Sequence, residues 1–386
     1  MKLLVLPGDH VGPEIVAEAL KVLGVIAEFR PDVKIKIQYG LIGGASIDKH
    51  GVPITEKVLR DAETSDAVLL GSVGGPEWSH VPGHLSPEQG ILQLRQRLVA
   101  FANIRPCQFP VPGLTGQSSL KEDVVSGTNF IVVRENCGGA YFGAKEEQRD
   151  TGSDLWIYTR PEIERCARVS AALASHFGRA GDWTASSGPA VVWNVDKANV
   201  LASSRVWRKV THETFEKEFP GLELRDQLAD SMAMFMVRSP TRFNGIIHTD
   251  NTFGDILSDI SGGLIGSLGL LPSASVCSVP GEGPCKGIYE AVHGSAPDIS
   301  GQGVVNPVAQ VLSLALLLRY SFNMPDEARM IEMAVRETLE SEADCGLGLR
   351  TADIGGSATT VEVGNGICLV LRKKWANYTP LADYSE

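Results

Sequence analysis

The sequence predicts an α/β fold. Short apolar runs rich in β-branched residues alternate with longer stretches of helical periodicity along all 386 residues. Gly-Gly pairs at 43–44, 74–75, 138–139 and 262–263 stand where backbone must turn tightly or approach a ligand closely. No internal repeat or low-complexity tract interrupts the pattern, and the length suits two domains or one large one.

Strands are expected at Lys2–Leu6, Lys34–Tyr39, Ala67–Ser72, Phe130–Arg134 and Gly245–Thr249. Helices are expected at Gly12–Ala27, Gln89–Phe101, Arg160–His176, Asn199–Phe219, Leu228–Arg238 and Asn306–Phe322, with a last one from Pro325 to about Glu342. The Gly/Pro/Ser/Thr-rich stretch Gln108–Gly127 reads as an exposed excursion, and the polar stretch Lys145–Asp154 as a surface arm or loop.

Apolar content of 43% with 21% charged residues is ordinary for a globular protein in water. The net charge of −11, with no basic run, argues against a nucleic-acid partner. The apolar segment Val308–Leu318 is too short to span a bilayer, so no membrane partner is expected. Seven scattered cysteines without a C-x-x-C pair suggest reduced thiols in an intracellular compartment. The N-terminal apolar run is too short for a signal peptide, so the expected location is the cytoplasm.

The most informative stretch runs from His248 to Asp259. Asp255 and Asp259 stand four apart after a strand-like run and Gly254. On a helix both carboxylates would share one face, where their repulsion is relieved by a hard cation such as Mg²⁺ or Mn²⁺. The plainer reading is a solvated helix start with acids at the dipole's positive end. Asp230, a lone acid among apolar helix neighbours, would be buried, would need a partner, and is a candidate third ligand. Arg95, Arg105 and Arg134 would together make a fork for a di- or tricarboxylate, although singly each suits a solvated terminus. Lys197, between an apolar run and a helix, is either a capping residue or, near a metal, a general base. Tyr141, bracketed by glycines, is either a packed aromatic or a residue a ligand approaches.

The Gly/Ser/Pro-rich loop from His293 to Asn306 has the composition to wrap a nucleotide with backbone amides. A full G-x-G-x-x-G and a Walker A sequence are both absent, which argues against a Rossmann cofactor site or P-loop. His80 and His84 have metal-like spacing, but they lie among Pro and Gly without further ligands and read as loop residues.

These motifs together resemble the β-decarboxylating dehydrogenases, the isocitrate/isopropylmalate dehydrogenase family. The resemblance runs over essentially the whole chain. It is carried by Leu6-Pro-Gly-Asp-His-Val-Gly-Pro-Glu14, Gly71-Ser-Val-Gly-Gly-Pro76, Leu94-Arg95, Phe101-Ala-Asn-Ile-Arg-Pro106, Arg134, Tyr141-Phe-Gly143, Val195-Asp-Lys-Ala-Asn199, Phe253-Gly-Asp-Ile-Leu-Ser-Asp259, Leu271-Pro-Ser-Ala274 and His293-Gly-Ser-Ala-Pro-Asp298. It implies a two-domain α/β fold, not Rossmann. Residues 1–102 plus 255–386 would form a cofactor-side domain holding both termini, and residues 103–254 an inserted domain with the dimer interface and arm.

The resemblance further implies NAD-dependent oxidative decarboxylation of a 3-alkylmalate, foremost 3-isopropylmalate in leucine biosynthesis, by a homodimer with shared active sites. It assigns the carboxylates to Arg95, Arg105 and Arg134, and Mg²⁺ or Mn²⁺ to Asp230, Asp255 and Asp259. It makes Lys197 the base and Tyr141 the acid, with Lys197 and Asp230 arriving from the neighbouring subunit. NAD would lie against Gly74, Gly75, Pro76, Glu77 and Pro87, and against Glu282, His293, Gly294, Ser295, Ala296, Pro297, Asp298 and Asn306. Asp298 suits ribose hydroxyls and would repel a 2′-phosphate. Ile91 and Leu92 would offer apolar surface to a branched alkyl group, and Glu88 would lie near the nicotinamide. A few methyl groups discriminate by only about 1–3 kcal/mol each. Another 3-substituted malate such as benzylmalate, or tartrate or homoisocitrate, therefore stays open as substrate. A non-catalytic subunit fits poorly with retention of the acids, Lys197 and Tyr141.

The chain departs from the family pattern at His10-Val11, Cys137, Ile260-Ser261-Gly262 and Ala291. The stretch just beyond Asp259 is where altered specificity is first expected.

Overall fold

The computed structural model describes residues 1–176 and 190–376. Its strands are β1 (Lys2–Gly8), β2 (Lys36–Tyr39), β3 (Ala67–Ser72), β4 (Ala102–Gln108), β5 (Asn129–Glu135), β6 (Lys145–Glu147), β7 (Gly152–Asp154), β8 (Val192–Asp196), β9 (Leu224–Leu228), β10 (Gly245–Thr249), β11 (Pro272–Val276) and β12 (Gly287–Ala291). Its α-helices are α1 (Gly12–Phe29), α2 (Gly44–His50), α3 (Glu56–Thr64), α4 (Pro87–Leu98), α5 (Glu122–Val125), α6 (Arg160–His176), α7 (Ala202–Glu218), α8 (Ala229–Arg238), α9 (Asn251–Ile265), α10 (Val308–Tyr320), α11 (Pro325–Leu339) and α12 (Thr360–Ala376).

One sheet of ten strands runs in the order β2-β1-β3-β12-β11-β4-β5-β10-β8-β9. Its two flanks are parallel, and the antiparallel pairs β12/β11, β11/β4 and β4/β5 join them in the middle. Side-chain alternation places a core on each face. Leu3 and Val5 of β1 with Ala67 and Leu69 of β3 join α1 residues Val22 and Ile26, whereas Leu4, Leu6, Val68 and Leu70 meet α3 and α4 through Val58, Leu59 and Leu94. Helix α10 is buried from Val308 to Leu318 beneath β11 and β12, which explains why that run reads as continuously apolar. No described helix is long and apolar enough to cross a membrane.

Several expectations need correcting. The chain does not end its helices near Glu342, because α12 follows. Its Gly364 and Gly366 look like breakers in sequence, yet they let helices approach. A Cβ at Gly364 would lie 1.8 Å from Glu18 Oε2 of α1, and one at Gly366 2.6 Å from Leu349 Cδ1. The expected helix through Phe101 stops at Leu98, where Val99 turns left-handed at φ 52°, and β4 begins at Ala102. Pro106 disguised that strand, since proline normally breaks a ladder. It is tolerated because β11 pairs only with Ala102–Ile104, leaving Pro106 opposite β5 alone. The Gln108–Gly127 stretch is also less exposed than expected, for it buries Phe109, Val111, Leu114 and Val125. The Lys145–Asp154 arm is the exposed β6/β7 hairpin.

His248 of β10 illustrates how polarity is accommodated inside. Its ring is fully buried against Trp207 (centroids 4.9 Å apart), with Nδ1 3.0 Å from Ser170 Oγ and Nε2 3.3 Å from Thr211 Oγ1. Burial pushes its pKa down from 6.5 to about 3. Below pH 6.5 the unfolded chain therefore binds a proton that the native state refuses, so acid destabilises the fold through this residue. The stability gap between wild type and His248→Gln is expected to shift against wild type by about 1.4 kcal/mol per pH unit between pH 6 and pH 5. Urea midpoints at pH 8, 6 and 5 check this, and a gap independent of pH would disprove it.

Candidate active site

Helix α9 carries the site because its start is well fixed. Asp250 caps it, its side chain accepting from Phe253 N at 2.9 Å, and the helix packs closely against β5 at Gly254. A Cβ there would stand 2.6 Å from Arg134 Cγ, so glycine is required for the Arg134 side chain to lie along the helix. Asp255 and Asp259 follow one turn apart, as their spacing predicts. Asp255 Oδ1 pairs with Arg134 Nη1, and Asp255 Oδ2 accepts from Tyr141 Oη at 2.9 Å. Asp259 Oδ1 lies 3.6 Å from Arg105 Nη1 and remains largely exposed.

The three arginines come from three elements. Arg134 is the penultimate residue of β5, its Nε donating to Asn251 Oδ1 at 2.9 Å and its guanidinium lying 5.6 Å from the Tyr141 ring centroid. Arg105 on β4 donates to Asn103 Oδ1 and Ser258 Oγ, both at 2.6 Å. Arg95 on α4 donates from Nη2 to Glu290 Oε1 of β12 at 2.9 Å, while its buried Nε has no hydrogen-bond partner among the described residues. Burial, and then the charge of Arg105, lowers the Arg134 pKa to about 10. Burial and the Arg95 charge lower that of Arg105 as well. Positive charges so crowded away from water favour anionic ligands. Burial and the Asp255 charge raise the Tyr141 pKa above its usual 10, so its phenol keeps its proton at neutral pH.

Lys197 and Asp230 form a second group. Lys197 Nζ lies 2.7 Å from Asp230 Oδ1. Asp230 corrects an expectation: it is exposed in the first turn of α8, not buried. The Lys197 hydrogen bond lowers its pKa. Among the described residues no three acidic, histidine or cysteine side chains gather tightly enough within one chain to hold a metal. Asp255 and Asp259 offer two hard carboxylate oxygens one turn apart.

The loops after β3 and β12 share one end of the parallel flank. Gly74 is buried and adopts φ 103°, and a Cβ on it would stand 2.8 Å from Glu88 Oε1. Gly294, Gly301 and Gly303 face open space, and Ala296 is left-handed at φ 41°. These glycines line a hollow between the two loops, where a ligand can come close to the backbone. Pro76, Glu77, Pro297 and Asp298 are exposed around it, while Pro87, Ser295 and Asn306 are buried beneath it. Glu282 is not brought here. It lies in the loop before β12, at the opposite end of that strand from His293, because adjacent loops along the chain fall on opposite sheet edges. Ile91 and Leu92 are half-buried one turn before Arg95.

Of the sequence departures, Ile260-Ser261-Gly262 follows Ser258, the partner of Arg105, along α9. Ser261 is buried, its carbonyl accepting from Cys107 Sγ at 3.8 Å, and a Cβ on Gly262 would stand 2.3 Å from Leu268 Cδ2. Ser261 and Gly262 are buried, and Ile260 is half-buried against the core. Ala291 supplies an N–H that proline lacks, and it donates to Gln310 Oε1 at 3.0 Å. Sequence reasoning missed Glu290, Asn251, Ser258 and Asp9, which orient the site through side-chain contacts only. Glu290 had one available signal, an acid inside an otherwise apolar strand three residues before His293.

The family model for isocitrate/isopropylmalate dehydrogenase matches residues 2–367. The chain belongs to the isocitrate/isopropylmalate dehydrogenase family. Within it, the chain is 62% identical over 371 residues to a 3-isopropylmalate dehydrogenase of Hapsidospora chrysogena, covering 96% of each chain. It is 48% identical to that of Neurospora crassa, covering 96% of this chain and 98% of the relative. A solved isocitrate dehydrogenase from Methylococcus capsulatus superposes with a TM-score of 0.80 at 31% identity, covering 96% of this chain and 99% of that one. A β-decarboxylating dehydrogenase from Thermococcus kodakarensis superposes at 0.74 with 32% identity, covering 97% of each. The family fold is thus the one built here from a mixed ten-stranded sheet.

Proposed function

We infer that this chain oxidatively decarboxylates 3-isopropylmalate to 4-methyl-2-oxopentanoate, a step of leucine biosynthesis, with NAD and Mg²⁺ or Mn²⁺. The observation that carries the reading is the three-arginine, Tyr141 and Asp255 cluster in a chain 62% identical over 96% of its length to a protein of that name. Arg95, Arg105 and Arg134 hold the malate carboxylates, the unpartnered Arg95 Nε being one free donor. Ile91 and Leu92 receive the alkyl branch.

When bound, the cation supplies Lewis-acid polarisation of the C2 oxygen, and the dinucleotide accepts the hydride from C2. Asp255 and Asp259 would hold the cation together with Asp230 of the partner subunit. Lys197 Nζ, also from the second copy, takes the C2-hydroxyl proton. Tyr141 Oη, protonated at neutral pH, delivers a proton to the carbon from which CO₂ has left. The loops Gly74–Pro87 and His293–Asn306 would hold the dinucleotide between them. Supporting a homodimer, Met234 and Val237 of α8 and Ile256 of α9 are apolar yet 52%, 45% and 55% exposed. We further propose that residues 1–102 plus 255–386 and residues 103–254 act as two domains hinged at the β11/β4 pair.

Initial rates of NADH formation with Mn²⁺ on isopropylmalate, benzylmalate, isocitrate and tartrate test the reading. Isopropylmalate is expected to show the highest kcat/KM. A clear preference for isocitrate or tartrate, or no turnover of any alkylmalate, would overturn it.

A further inference from the structure

The turn after β1 binds the two loops of the glycine-lined hollow together. Asp9 is buried, and its Oδ2 accepts from Gly44 N at 2.8 Å and Gly74 N at 2.9 Å, while Oδ1 accepts from Ala45 N at 2.8 Å. This fixes the turn so firmly that His10 adopts a left-handed backbone, φ 51°, which a residue with a Cβ rarely takes. The strain has a use on the side-chain end. His10 Nε2 lies 3.3 Å from Glu77 Oε1 and the same distance from Oε2, and its ring packs against Trp78 with centroids 5.7 Å apart. Trp78 Nε1 in turn donates to Asp48 Oδ1 at 2.9 Å. A Cβ at Gly75 would stand 2.3 Å from both His10 Nε2 and Glu77 Oε2, so these groups close around that glycine.

The neighbouring residues hold the opposite loop. Val11 N donates to Ser295 O at 3.2 Å, and Gly301 N donates to Glu14 Oε1 at 2.7 Å. Residues 10–14 therefore contact both walls of the hollow, His10 on one side and Val11 and Glu14 on the other.

We propose that His10 is a positioning residue that clasps the Gly74–Trp78 loop to the end of β1 and thereby sets affinity for the nicotinamide dinucleotide. It acts through Glu77 and Trp78, without touching the reacting atoms. This rests on the reading that NAD occupies the hollow.

The test compares wild type with His10→Asn, Glu77→Ala and the double variant, by NAD titration calorimetry and by steady-state kinetics. Asparagine tolerates the left-handed backbone but is too short to reach Glu77. His10→Asn is expected to raise the NAD dissociation constant and KM about three- to fivefold, the scale of one partly exposed hydrogen bond. Its kcat and its KM for isopropylmalate stay within about twofold of wild type. Because the two residues act as one unit, the double variant binds NAD no more weakly than either single one. Should His10→Asn prove unstable by thermal unfolding, His10→Gly, which takes the left-handed backbone freely, carries the same binding comparison. Wild-type NAD affinity in both single variants, or a fall in kcat without a change in NAD affinity, overturns the proposal alone. A wild-type protein that neither binds nor reduces NAD overturns the cofactor reading instead, and the clasp's role with it.

Discussion

Asp255→Asn is expected to lower kcat/KM for 3-isopropylmalate about 1000-fold or more while the chain still folds. Asparagine preserves the shape of the side chain and can still accept from Tyr141 Oη, which now bonds Asp255 Oδ2 at 2.9 Å. What it removes is the negative charge. Arg134, whose side chain is only 4% exposed, then loses the Asp255 carboxylate, and the proposed cation loses one of two ligands on α9. Correct protonation and placement of acid–base groups contributes roughly 100- to 10,000-fold, and loss of charge on a metal ligand adds to that. The uncompensated guanidinium costs stability on the order of 1–3 kcal/mol, which lowers Tm without abolishing the fold. Steady-state rates with Mn²⁺, alongside far-ultraviolet circular dichroism melts, make the measurement. A kcat/KM within about tenfold of wild type would show that Asp255 neither holds the cation nor organises the acid.

How much of this was legible without coordinates depended on whether a residue's role is local. The Asp255/Asp259 pair was legible because its geometry follows from helical pitch, and α9 indeed begins just before it. Arg134 was legible as the polar end of an apolar strand, and so was Tyr141 between glycines. Asp230 stood out as a lone acid among apolar neighbours, but its expected burial did not hold. Helix α8 is apolar almost all round, with Met232 and Met236 buried and Met234 and Val237 exposed, so periodicity gave no inside or outside. Strands β11 and β12 went unrecognised because Pro272, Ser273 and Ser275 mask the first, and both are buried on two faces. Glu282 failed for a topological reason, since a loop ten residues from a site along the chain lies across the whole sheet when a strand intervenes. Glu290 and Asn103 were silent for a different reason: their contacts to Arg95, Arg105 and Ser273 join distant segments, and sequence spacing carries no record of them.

Mixing two inactive variants is expected to restore activity. Lys197→Met removes the proposed base and Asp255→Asn disables the acid and metal side, so each homodimer alone should lie about 1000-fold or more below wild type. In one chain the relevant side chains fall into two groups, Lys197 with Asp230 on one hand and Asp255 with Arg134 and Tyr141 on the other. Exposed apolar residues of α8 and α9 lie beside them, Met234 and Ile256 being 52% and 55% exposed. If two copies pack through that face, a two-fold axis brings one copy's Lys197 and Asp230 to the other's Asp255. A heterodimer then holds one site with both defects and one with neither. Random reassortment of equal amounts makes half the dimers mixed, so about one quarter of all sites, and of the wild-type rate, should return. Unfolding and refolding the two variants together, with each refolded alone as control, provides the assay. The restored rate must fall when one variant is in large excess, because heterodimers become scarce. A mixture as inactive as its components, with mixed dimers demonstrated by differently tagged chains, would mean that each chain builds its site alone. Lys197 and Asp230 would then have to reach Asp255 by a movement within one subunit, and the exposed face of α8 and α9 would have no part in the chemistry.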